Sequence, residues 1–68
     1  MYHHLLGRRI RVSPSATSDR GRLHRGEYAE IREYAADPVS GELKRLTVRL
    51  DSGETVELPP TDVETPYI

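Results

Sequence analysis

Eight cations recur in three short clusters: Arg8, Arg9 and Arg11; then Arg20, Arg22 and Arg25; then Lys44 and Arg45. Guanidinium and ammonium groups at that density do one of two things. They neutralise the phosphates of a nucleic acid, or they pair with carboxylates of another protein. They also serve simply as a solvated surface whose aliphatic stems cover the core. Tyr2, Tyr28, Tyr34 and Tyr67 are the only Phe, Tyr or Trp residues. A tyrosine stacks on a base, anchors a protein interface, or fills the core. With no other aromatics to pack, at least two of the four are expected inside. Tyr28 and Tyr34 suit that role better than Tyr2 and Tyr67, which lie near the ends.

Catalytic patterns are missing. There is no phosphate-binding glycine loop with a lysine, no dinucleotide glycine run and no paired-histidine metalloprotease signature. Cysteine is absent, which excludes a thiol nucleophile, disulfides and thiolate metal sites. The serines sit among turn residues, where hydroxyls bond backbone. The carboxylates fall on exposed strand faces and turns, not in a buried pair fit for acid–base work. His3 and His4 are neighbours and point apart in an extended chain, so no metal site is expected. The chain reads as non-catalytic, with no cofactor and no small-molecule substrate.

Size narrows the partners further. Sixty-eight residues make a single domain that buries only about 60% of its extended-chain surface. No apolar run reaches the ~20 residues of a membrane span, and the N-terminus lacks the pattern of a signal peptide. A cytoplasmic protein with no membrane partner is the expectation. The net charge of −1 conceals a division. Residues 1–34 hold seven Arg/Lys against four Asp/Glu, while residues 35–68 hold three against seven. That polarity suits a charged protein partner or self-association, unless folding mixes the two halves.

The elements that position these residues are mostly strands. In Leu46-Thr47-Val48-Arg49-Leu50, apolar and polar residues alternate; Asp51-Ser52-Gly53-Glu54 turns; Val56 and Leu58 resume the alternation. This is a hairpin with one oily face. Arg8–Val12 forms a first strand with Ile10 and Val12 inward, ended by Pro14. Residues 13–26 read as a long mobile loop with only Leu23 to bury. Residues 27–34 fit a strand with Ala29 and Ile31 inward; a helix over 27–36, giving an α+β fold, is the alternative. Asp37-Pro38-Val39-Ser40-Gly41 connects to a strand beginning near Leu43. After Pro59-Pro60, Thr61 and Asp62 cap one helical turn and Val63 re-enters the core. The inward set is Ile10, Val12, Ala29, Ile31, Leu46, Val48, Leu50, Val56, Leu58 and Val63.

This pattern describes an all-β, SH3-like barrel of about five strands, with a one-turn helix before the last and an ordered core over residues 7–64. Gly26-Glu27-Tyr28-Ala29-Glu30-Ile31 resembles the glycine-centred core of KOW-type motifs. Val48–Glu54 followed by Leu58–Glu64 is similar to the closing strands of KOW, Tudor-like and related small barrels. Ala29 stands where a second glycine is usual. The resemblance implies a small binding module. Protein–protein interaction through the tyrosines or an open strand edge is the leading expectation. Nucleic-acid binding through Arg8, Arg9, Arg11, Arg20, Arg22, Arg25, Lys44 and Arg45 is the alternative. It requires Arg8, Arg11, Arg22, Arg25 and Lys44 to converge on one face without Glu27, Glu30 or Glu57 between them.

Overall fold

The computed structural model describes residues 2–64. Four strands form one antiparallel sheet in sequential order: β1 (Arg9–Arg11), β2 (Tyr28–Ala36), β3 (Leu43–Leu50) and β4 (Thr55–Leu58). The register follows the alternation of the sequence. Ile10 faces Ala29, Ala29 faces Leu50, and Val48 lies between Ile31 and Val56. All ten residues of the inward set are buried. Residues 28–36 are strand, so the helical alternative for 27–36 is overturned. Pairing to β3 along nearly its full length outweighs the helix propensity of its Glu and Ala residues.

One irregularity decides which aromatic reaches the core. Ile31 faces Val48, but Glu33 faces the adjacent Thr47, which leaves Arg32 as an extra residue on β2. A bulge of this kind reverses the in–out parity beyond it. Strict alternation would turn Glu33 inward; with the bulge, Tyr34 packs against the core and Glu33 stays exposed.

The core extends beyond the expected residues 7–64. A 3-10 turn at His3–Leu5 buries Leu5, and Tyr2 packs beside it. At the other end Pro60–Asp62 form the expected single turn, of 3-10 type, but neither Thr61 nor Asp62 caps it: no side chain bonds its start, and the Asp62 carboxylate is taken by Thr17 and Ser18. The expected fifth strand is reduced to one bridge, Val12 to Val63. The Ser13 N–H donates to the Asp62 carbonyl at 2.7 Å and the Glu64 N–H to the Arg11 carbonyl at 2.9 Å. The sheet is not closed into a barrel.

Residues 13–26 depart most from expectation. They contain a short helix, α1 (Asp19–Leu23), which packs against β4. Leu23, the residue expected to be buried there, is 69% exposed; Ala16 and Gly21 are buried in its place. No helix among the described residues is long and apolar enough to cross a membrane.

Candidate functional site

Two surfaces carry the cations, and they are built differently. The first is the outward face of the sheet. One row across it reads Arg9, Glu30, Arg49, Thr55, and the row of Glu33, Thr47 and Glu57 adds two more carboxylates. Arg9 makes a two-pronged ion pair with Asp51, at 2.9 and 3.1 Å, and lies over the Tyr28 ring. The hydrogen bond from Arg9 and its charge hold the Asp51 carboxyl below its ordinary range. Arg11 reaches Glu64 at 3.2 Å, Arg32 reaches Glu30 at 3.4 Å and Arg45 reaches Glu57 at 3.6 Å. Lys44 stands 4.0 Å from Glu42. Arg9 and Arg45 lie beside residues of β2 five positions apart, roughly 17 Å along a strand. The eight cations therefore do not converge on one patch, and Glu30 and Glu57 are interleaved with them.

The second surface is α1. Its anchor is Asp62, which is 2% exposed. The Thr17 N–H donates to Oδ1 at 3.2 Å and the Ser18 N–H to Oδ2 at 3.0 Å; the Ser18 hydroxyl also donates to Oδ2. Ser18 then accepts from the Gly21 N–H at 3.1 Å, which caps the helix. Burial pushes the Asp62 carboxyl upward, but these bonds and the nearby Arg25 charge outweigh it and leave it lowered. A carboxylate with several donors stays ionised even when buried. Gly21 is dictated by the same contact. A Cβ there would lie 2.5 Å from Asp62 Oδ2 and 2.8 Å from Ala16 Cβ.

The other end of α1 is tied down as well. Arg25 donates twice to the Ala16 carbonyl, at 2.7 and 3.0 Å. His24 stands between two carboxylates, with Nδ1 3.0 Å from Glu27 and Nε2 3.8 Å from Glu54. The outcome is a fixed platform. It presents a shallow concavity lined by Asp19, Arg22, Leu23 and Arg25. Among the described residues, Arg20 and Arg22 have no carboxylate within 4.0 Å. Arg8, outside this surface, is likewise without one; it reaches only the His4 carbonyl, at 3.4 Å.

The tyrosines follow their chain positions in part: Tyr34 packs against the core as expected, but its companion there is Tyr2 and not Tyr28. Tyr2 is half-buried; its hydroxyl donates to the Gly41 carbonyl at 2.8 Å and its ring meets Tyr34 edge-on at 5.7 Å. Tyr34 is held between Tyr2 and His3. Among the described tyrosines, Tyr28 is the exposed one, at 52%. Tyr67 lies outside the described residues. No group of three His, Cys, Asp or Glu side chains among the described residues is arranged to hold a metal ion.

Sequence reasoning missed Leu23 as a surface residue and Asp62 as an anchor. The adjacent Ser18-Asp19 pair was the available signal, being a cap followed by an acid in the first turn. Compared with known proteins, the chain matches no family model, no curated protein and no solved structure.

Proposed function

We propose that this domain is a non-catalytic protein-interaction module, built as a reduced relative of the SH3-like small barrels. The barrel reading is supported by the chain after Pro60–Asp62, which lies along the free edge of β1 through the Val12–Val63 bridge. A fifth strand in that position would give the strand order 5-1-2-3-4.

One observation favours protein over nucleic acid as the partner. Most strand cations already have carboxylate partners, and acids separate them along the sheet face. A phosphate backbone gains affinity by releasing counterions from an array of unpaired cations, and each internal pair weakens that array. Exposed Tyr28 and Leu23 supply the apolar contact that a protein partner uses.

The test is an NMR titration of the labelled domain with mixed-sequence single-stranded DNA and RNA, at low salt and again at about 0.15 M salt. The proposal expects no saturable shifts at the higher salt. Saturable shifts there, clustered on residues 8–11, 20–26 and 44–45, would establish the KOW-like nucleic-acid reading in its place.

A further inference from the structure

The α1 platform has the makings of a specific site, and its chemistry narrows the partner. Arg20 and Arg22 carry guanidinium groups with no carboxylate within 4.0 Å among the described residues. Elsewhere on the domain, most arginines are already paired or bonded to backbone. Beside the two free cations, Leu23 exposes more than two-thirds of its surface. Among the described residues, only Val39, at the tip of the β2–β3 connection, is a more exposed large apolar residue.

These features sit on a fixed support. Asp62 holds the start of α1, Gly21 seats it against Asp62 without a side chain between, and Arg25 is bonded to Ala16. A site whose backbone is held before binding loses less conformational entropy when it docks.

We infer that α1 is the docking surface for an acidic segment of a partner protein that also carries an aliphatic side chain. The carboxylates pair with Arg20 and Arg22, in the charge-assisted geometry that guanidinium favours. The aliphatic side chain covers Leu23 over the concavity lined by Asp19, Arg22 and Arg25. Leu23 argues against a phosphate polyanion here, since a phosphate offers it no contact. This inference rests on the reading of the domain as a protein-interaction module.

Three synthetic peptides of about 12 residues serve as probes. One alternates Asp or Glu with Leu. In the second, Leu is replaced by Ser. In the third, the acids are replaced by Asn and Gln. Each is titrated into the labelled domain at about 0.15 M salt. The first peptide is expected to shift the amides of residues 19–25 saturably, and each of the other two to bind about tenfold more weakly or worse. Arg22→Glu and Leu23→Ser each abolish the shifts. Both positions are exposed, so the remaining spectrum of each variant should overlay that of the parent.

Shifts spread over the sheet face would overturn the docking site, as would equal binding of the neutral peptide or no binding of the first peptide up to about 1 mM. The two readings fail separately. If the nucleic acids do not bind and the acidic peptide does not shift α1, the docking site falls while the protein-interaction reading stands. Nucleic-acid shifts at the higher salt, together with no peptide binding, would remove both.

Discussion

The outer sheet face and the α1 surface carry similar residue types, and differ in what their charges touch. On the sheet, Arg9, Arg11, Arg32 and Arg45 each have a carboxylate within 4 Å. On α1, Arg20 and Arg22 have none among the described residues, and the one buried carboxylate nearby, Asp62, is turned inward onto Thr17 and Ser18. The same residue types are thus mostly paired on one surface, where Arg49 is the exception, and, among the described residues, unpaired at Arg20 and Arg22 on the other. The difference arises from geometry. The sheet arginines find their acids in a turn (Asp51), on the same strand (Glu30), diagonally across the sheet (Glu57) and on the C-terminal segment (Glu64), whereas Arg20 and Arg22 on the short helix meet no such neighbour among the described residues.

The two surfaces should also fail differently when cut. The largest effect belongs to the shared core. Leu50→Ala leaves a cavity under the sheet and costs about 3 kcal/mol, which should unfold much of so small a domain in a urea titration. Retention of a parent-like midpoint would place Leu50 outside the core.

Next comes the anchor of α1. Asp62→Asn replaces an acceptor with a group that also donates, and leaves buried N–H groups without full partners, at about 2 kcal/mol. Gly21→Val should act similarly by steric conflict with Asp62. Amide exchange should accelerate at Thr17–Leu23 more than within β2 and β3. Uniform acceleration would mean that α1 and the sheet are one cooperative unit.

Acid provides a third separation. Asp62, Asp51 and Asp37 all have carboxyls lowered from the ordinary value of 3.8. Lowered carboxyls stabilise the fold above that value, and the contribution is lost as pH falls through their folded-state values. Stability should therefore decline below about pH 4, and the gap between the parent and Asp62→Asn should narrow there. A gap that stays constant through the acid limb would show that Asp62 is not ionised in the fold.

The smallest effect is expected on the sheet face. A double-mutant cycle on Arg45 and Glu57 should give less than about 1 kcal/mol, because exposed pairs are screened and lose side-chain entropy. A coupling well above that would make the outer face a structural network and not a solvated surface.

How legible all this was depended on sequence distance. Period-two alternation exposed every strand core residue, because burying one sheet face forces it. Tyr34 escaped that logic, since the bulge at Arg32 reverses parity and leaves no mark in composition. α1 was hidden by Gly21, a poor helix former whose presence makes sense only beside Asp62, far along the chain. The pairing of the arginines was equally hidden. Arg9 and Asp51 are 42 residues apart, and Arg11 and Glu64 are 53 apart. Counting charges could not tell paired cations from free ones; the fold brings the basic and acidic halves together on the sheet and leaves α1 out.

The most direct test of this division is site-specific photo-crosslinking in the cells that express the protein. A photoreactive side chain is placed at position 23 on α1 or at position 55 on the sheet face, and the adducts are digested with protease or nuclease. The account predicts discrete, protease-sensitive adducts from position 23 that vanish with Arg22→Glu, and none from position 55. Nuclease-sensitive adducts, or protein adducts from position 55 alone, would contradict it.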